Sequence, residues 1–222
     1  MKKIVILIPT RERLVDFKLF AESWKNTTEG HSDVIVRIDN DDLTYEEIKK
    51  EFPEFIYEYG ERKPFLFLLN DIALKYCNDY EYMGFMEDDC TFNTYGWESI
   101  FINKLRNLGN NGIVWGNDLV NYDRLVGMPF MNSNIIKKLG YICPPDIKYL
   151  WADNFWKDIG TKLNSLYYFS DVIIEHRHYS KGKRKIDNIS KIVDSYLAID
   201  GYSYSTYINT KFNDDVRKLS TP

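Results

Sequence analysis

The chain opens on an apolar, mostly β-branched run, Ile4-Val5-Ile6-Leu7-Ile8, closed by Pro9-Thr10-Arg11. A continuous run of that length predicts a strand buried on both faces, as in a parallel sheet. Leu14, Phe17, Phe20, Ala21 and Trp24 then recur at helical spacing, so a helix follows. Val34 to Ile38 predicts a second buried strand, and it ends in Asp39-Asn40-Asp41-Asp42. Glu46 to Phe52 reads as a short helix, Phe55 to Tyr59 as a weaker strand, and Pro64 opens a helix to about Tyr76. Tyr82 to Met86 predicts another strand that runs into acid at Glu87-Asp88-Asp89. Trp97 to Leu108 fits an amphipathic helix and Gly112 to Trp115 a further strand.

Strands and helices alternating through short connections predict an α/β fold, a mainly parallel sheet flanked by helices. In such sheets ligands bind beyond the carboxyl ends of the strands. Three consecutive predicted strand ends carry polar or acidic groups: Thr10-Arg11, Asp39 to Asp42, and Glu87 to Asp89. After Asn117 the pattern loosens. Asn134 to Leu139 and Asp153 to Ile159 read as helices, Cys143-Pro144-Pro145 as a rigid loop, and Tyr167 to Glu175 as a strand. The rest is polar, rich in Tyr and Lys, and carries no assignable period. No internal repeat or low-complexity linker interrupts the 222 residues, which fit one compact domain.

Composition narrows the chemistry. A net charge of −4 argues against a surface that neutralises many phosphates, so a long nucleic-acid footprint is not expected. The one dense basic stretch, Lys181 to Lys185, suits a small phosphorylated ligand instead. Cys77, Cys90 and Cys143 show neither close pairing nor metal-type spacing, as expected of buried free thiols in a reducing compartment. The first apolar run is too short for a signal-peptide core or a membrane span, and no later stretch qualifies. A cytoplasmic protein is expected.

Glu87, Asp88 and Asp89 repel one another unless a cation or a network of donors balances them. A hard divalent ion, Mn²⁺ or Mg²⁺, held by one or two carboxylates and substrate phosphates, is the economical balance. Extended geometry would turn Glu87 and Asp89 to one side and Asp88 to the other. Asp39, Asp41 and Asp42 offer acceptors for a nucleobase imide or ribose hydroxyls, although Asp42 or Thr44 can equally cap the following helix. His176 and His178 stand at alternate positions after a strand, and imidazole suits Mn²⁺-class ions. Lys181, Lys183, Arg184 and Lys185 can close over a diphosphate. Asp153 is either a helix cap or a general base facing the cleft.

Taken in order, these pieces resemble the glycosyltransferases with a GT-A fold, close to family two and to small phage and bacterial nucleotide-diphospho-sugar transferases. The resemblance rests on Ile8-Pro9-Thr10-Arg11, Asp39-Asn40-Asp41-Asp42, Asn70, Met86-Glu87-Asp88-Asp89 with Thr94-Tyr95-Gly96-Trp97, Trp151-Ala152-Asp153-Asn154, and Glu175-His176-Arg177-His178. It implies a donor half over about 1–117, an acceptor half over about 118–187, and an extension, 188–222, packed on the domain. It implies a nucleotide-sugar donor, UDP-linked in expectation, bound by Thr10, Arg11, Arg13, Asp39, Asp41, Asn70, Asp88 and Lys181. Glu87 to Asp89 resembles the DxD motif, with Glu where Asp is commoner, and the implied metal ligands are Glu87, Asp89 and His176 or His178. Asp153 resembles the catalytic base of inverting members. The acceptor, whether glycan, small molecule or modified nucleobase, is left open.

Two other readings compete. A nucleotidyltransferase would show a Gly-rich phosphate loop near the first strand, and Pro9-Thr10-Arg11-Glu12-Arg13 has none. A non-catalytic sugar-nucleotide or carbohydrate-binding protein would bind the same ligand without turnover.

Overall fold

The structure is a computed structural model, and it describes residues 3–221. Five strands alternate with helices before residue 100: β1 (Ile4–Thr10), α1 (Leu14–Thr27), β2 (Ser32–Asp39), α2 (Ile48–Glu51), β3 (Ile56–Gly60), α3 (Phe65–Tyr76), β4 (Tyr82–Phe85), β5 (Cys90–Phe92) and α4 (Trp97–Leu108). Then come β6 (Ile113–Asn117), β7 (Phe130–Asn132), α5 (Ser133–Leu139), α6 (Ala152–Lys162), β8 (Leu166–His176), α7 (Asn188–Ser195), α8 (Leu197–Thr210) and α9 (Phe212–Ser220). The eight strands lie in the order β3-β2-β1-β4-β7-β6-β8-β5.

Period-two burial explains the layers. Ile4, Ile6 and Ile8 of β1 face one core with Phe17, Phe20 and Trp24 of α1 and Trp97 and Phe101 of α4. Val5 and Leu7 face the other, with Leu66, Leu69 and Ile72 of α3 and Phe155, Trp156 and Ile159 of α6. A strand buried on both faces has no polar alternation, which is why these runs read as continuous apolar segments.

Strands β3, β2, β1 and β4 pair in parallel, as do β6 and β8. Two short strands depart from the expected pattern. Three-residue β7 runs antiparallel between β4 and β6, and β5 runs antiparallel to β8 at the sheet edge. Neither is long enough to carry a period. The helix expected over Glu46 to Phe52 is a 3₁₀ turn at Leu43–Tyr45 followed by the single turn of α2. Asp42 caps the 3₁₀ turn, accepting from the Thr44 N–H at 3.1 Å.

The unassigned C-terminus is three helices, held by buried carboxylates to the loop between α5 and α6. Asp200 of α8, fully buried, accepts the backbone N–H groups of Lys148, Tyr149 and Leu150 at 3.1, 2.8 and 3.0 Å. Asp215 of α9, also buried, accepts the hydroxyls of Tyr141 and Tyr207. These bonds fix the segment leading into α6, and α6 carries Asp153. No helix among the described residues is long and apolar enough to cross a membrane.

All the parallel strands end at one edge of the sheet, so Thr10, Asp39, the turn after β4, Asn117 and His176 arrive together. Close packing in mid-sheet sets their spacing. A methyl group on Gly84 of β4 would stand 2.4 Å from the Phe130 ring on β7. Gly84→Ala is therefore expected to cost about 1–3 kcal/mol, the usual cost of overpacking. Urea unfolding of the variant beside the wild type measures it.

Candidate active site

Beyond Phe85 the chain leaves β4 and turns through Glu87, Asp88 and Asp89. The turn separates the three carboxylates. Asp88 points to β1, where Oδ2 accepts from the Thr10 hydroxyl at 2.8 Å and Oδ1 from Arg13 Nη1 at 3.1 Å. Thr10 uses its proton on Asp88, so the Tyr45 hydroxyl, 2.6 Å away, donates to Thr10 and accepts the Arg13 N–H. Glu87 and Asp89 point instead to the end of β8. His176 Nε2 lies 3.5 Å from Glu87 Oε2 and 3.4 Å from Asp89 Oδ1.

Charge balance here is close. Burial pushes the Asp88 carboxyl up to about 6, with Arg13 and Thr10 opposing. Burial would likewise raise Asp89, but His176, Arg184 and Arg13 outweigh it and hold that carboxyl below the usual range. Burial lowers the His176 pKa, yet Glu87 and Asp89 outweigh it and push the imidazole up to about 9. Asp89 Oδ1 and His176 Nε2 are both buried without a hydrogen-bond partner. Buried polar atoms are rarely left so. Two facing orphans beside a half-exposed Glu87 fit a divalent cation, because carboxylate oxygen and imidazole nitrogen suit Mn²⁺ and carboxylate oxygen suits Mg²⁺. The Cys90 thiol lies within 4.8 Å of both the Asp89 and His176 donor atoms. It is packed in the core, and burial raises its pKa, so it is a poor ligand for a hard ion.

A second layer comes from the segment after β8. Arg184 Nε donates to Asp89 Oδ2 at 2.7 Å, and Nη1 to Asp187 Oδ2 at 3.0 Å. Arg13 reaches the same Asp187 through Nε at 2.8 Å, and both guanidinium groups donate to the Ser190 hydroxyl at 3.1 Å. Asp187 caps α7, accepting the Ser190 N–H. Two arginines are thus fixed side by side over the acidic turn.

These groups line a cavity of about 500 Å³, roofed by Ser190, Ile192 and Val193 of α7. At one end Arg11 Nη1 donates to Asp39 Oδ2 at 2.9 Å and to Asp41 Oδ1 at 2.5 Å. Arg11 Nε and Asp39 Oδ1 stay buried without hydrogen-bond partners, although Arg37 Nη1 stands 3.9 Å from Asp39 Oδ1. At the other end lies Asp153, one residue inside the first turn of α6. Trp151, not Asp153, is the N-cap of that helix. Asp153 Oδ1 accepts the Asn154 N–H at 2.9 Å, and burial raises the carboxyl pKa against that bond. Backbone strain gathers around the cavity: Glu12, Leu119, Tyr122, Met128 and Trp151 all have φ between 52° and 72°. Positive φ at such residues is uncommon and concentrates at functional sites.

The structure brings Thr10, Arg11, Arg13, Asp39, Glu87, Asp88, Asp153, His176 and His178 to the cavity wall, with Asp89 buried behind it. Other expected site residues lie elsewhere. Asn70 ties α3 to the loop before α6, donating to the Cys143 carbonyl and accepting the Ile142 and Cys143 N–H groups; it is a structural strut. Lys181 is exposed on a turn outside the cavity wall, and Arg184, three residues on, enters in its place. Asp41 is exposed and paired with Arg11. His178 lines the cavity, but its Nδ1 caps the following turn at Ser180, and His176 is the imidazole that faces Glu87 and Asp89. Asp118, Asp187 and Ser190 were missed by the sequence reading. Asp118 had one signal: an acid directly after the strand ending at Asn117.

No family model matches the sequence, and no curated protein matches it. Solved structures do. The mannosyltransferase PcManGT from Pyrobaculum calidifontis, in complex with GDP-Man and Mn²⁺, superposes on 98% of this chain and 73% of its own, with TM-score 0.55 and 10% identity. GalNAc-T7, with UDP, GalNAc and Mn²⁺, gives 0.64 at 9% identity over 79% of this chain and 44% of its own. S. aureus TarS gives 0.59 at 14% identity over 78% of this chain and 36% of its own. The fold is that of the GT-A glycosyltransferases. This chain spans about a third of TarS and under half of GalNAc-T7.

The His176 shift has a pH signature in chelator-treated protein. A pKa raised from 6.5 to about 9 contributes stability that is fully present below about 6.5 and lost as pH rises through about 9. Urea midpoints at pH 6 and 9.5 are expected to differ in wild type, and the difference to shrink in His176→Asn.

Proposed function

We propose that the chain is a metal-dependent glycosyltransferase that moves a sugar from a nucleoside-diphosphate donor to an acceptor hydroxyl. The observation that carries this reading is the pair of facing buried atoms, Asp89 Oδ1 and His176 Nε2, 3.4 Å apart and neither in a hydrogen bond, beside a cavity that also holds Asp153. About 500 Å³ lies within the usual range of a small-molecule site. Mn²⁺ accompanies the nucleotide or nucleotide sugar in PcManGT and GalNAc-T7, and TarS has been solved with UDP and with UDP-GlcNAc.

Uracil is the favoured base. Its imide N–H supplies the donor that Asp39 Oδ1 lacks, and its flanking carbonyls supply the acceptor that Arg11 Nε lacks. Glu87, Asp89 and His176 would hold the ion, which, when bound, neutralises charge on the diphosphate. Arg184 and Arg13 lie beside that position and donate to phosphate oxygens as guanidinium forks do. Asp153 takes the proton from the acceptor hydroxyl. The freed oxygen bonds to the anomeric carbon while the bond from that carbon to the diphosphate breaks, and the electron pair leaves on the diphosphate. One displacement of this kind inverts the anomeric centre. A carboxyl whose pKa is raised by burial is a better base near neutral pH than an exposed one.

Asp153→Asn keeps an oxygen for the Asn154 N–H and removes the base. Donor affinity by calorimetry is expected to hold, while single-turnover transfer falls on the order of a hundredfold or more. Unchanged transfer would remove Asp153 from the reaction. Asp89→Asn, or excess chelator on wild type, is expected to abolish most donor turnover, and full turnover in EDTA would contradict the metal assignment. Donor that binds with Mn²⁺ but is never turned over, with water or any acceptor, would mark a binding protein instead.

A further inference from the structure

Asp118 directly follows β6 and is only 3% exposed. Its Oδ1 accepts three backbone N–H groups, from Val120 at 2.8 Å, Asn121 at 2.7 Å and Tyr122 at 2.9 Å. That oxygen is saturated. Oδ2 has no hydrogen-bond partner among the described residues. It stands on the cavity wall facing Gly127, where a methyl group would lie 3.4 Å from it. This oxygen lines the cavity without a hydrogen bond to the chain, and its neighbours indicate what it meets. The Asp118 carbonyl accepts the His176 N–H at 3.0 Å, so the residue is fixed to the strand end that carries the ion-facing imidazole. Its charge also raises the pKa of both His176 and Asp153. Asp118 therefore borders the space between the diphosphate end of the cavity and the base.

We propose that Asp118 Oδ2, with the gap left by Gly127, is a specificity-determining acceptor for hydroxyl groups of the transferred sugar. The assignment rests on the nucleotide-sugar reading above. A donor whose anomeric carbon lies between the Asp89–His176 pair and Asp153 must place its ring beside Asp118. A sugar ring presents hydroxyl donors there, and a carboxylate oxygen on the cavity wall accepts them. A site built to hydrogen-bond a hydroxyl discriminates strongly against an analogue that lacks it, because the site's own polar atom is then left unpaired. The class selected is a hexose with free ring hydroxyls, in preference to deoxy donors.

Asp118→Asn separates this role from the structural one. The amide oxygen can keep the three N–H bonds, while the amino group replaces the free acceptor. Gly127→Ala leaves Asp118 intact and fills the gap. Calorimetry with Mn²⁺ measures affinities for UDP and GDP and for UDP-GlcNAc, UDP-glucose and GDP-mannose. In both variants nucleotide affinity is expected to stay within about twofold, while affinity for the accepted nucleotide sugar falls at least tenfold. Thermal unfolding monitors the fold, and Gly127→Ala decides the matter should Asp118→Asn unfold. Equal losses for nucleotide and nucleotide sugar, or no loss for either, would overturn the assignment. Wild-type protein that binds none of the five ligands would overturn the nucleotide-sugar reading itself.

Discussion

The site depends on balancing too many carboxylates in too little space. Glu87, Asp88, Asp89, Asp118, Asp153 and Asp187 converge at the carboxyl edge of one sheet, and four of them are buried or nearly so. Unpaired carboxylates at that depth are costly. Arg13 and Arg184 answer for Asp88, Asp89 and Asp187, and backbone N–H groups answer for Asp118. His176 stands between Glu87 and Asp89 without forming a well-shaped bond to either. The proposed divalent ion would meet the remaining demand with the fewest groups. The acidic turn and the two arginines both answer to that single electrostatic constraint.

The same network ties the last helices to function. Asp187 and Ser190 at the start of α7 are the common acceptors for Arg13 and Arg184, so the roof of the cavity is fastened to its charged wall. Asp200 of α8 holds the backbone at 148–150, just before Trp151 and Asp153. Residues after 187 thus supply both a cavity wall and a support for the segment that leads to Asp153.

Parallel strands buried on both faces leave a clear mark in a sequence, and the acids at their ends lie next to that mark. Thr10, Asp39, Glu87 to Asp89 and His176 were legible for this reason. Asp118 was harder, because the loop after it follows no period and depends on positive φ at Leu119, Tyr122 and Met128, none of them glycine. Lys181 and Arg184 are alike in charge, but only Arg184 carries the fork that reaches Asp89, Asp187 and Ser190 together. Asn70 is a strut because the loop at 142–143, distant in sequence, folds back onto α3. Short strands such as β7 take their direction from neighbours that no local window contains.

The ion position is the centre of this account, and anomalous diffraction at the manganese edge tests it most directly. Crystals grown with Mn²⁺ and a nucleotide sugar are expected to show one peak between Asp89 Oδ1 and His176 Nε2, with diphosphate oxygens completing the coordination. Bound nucleotide sugar with no peak there, or a peak held by other residues, would contradict it.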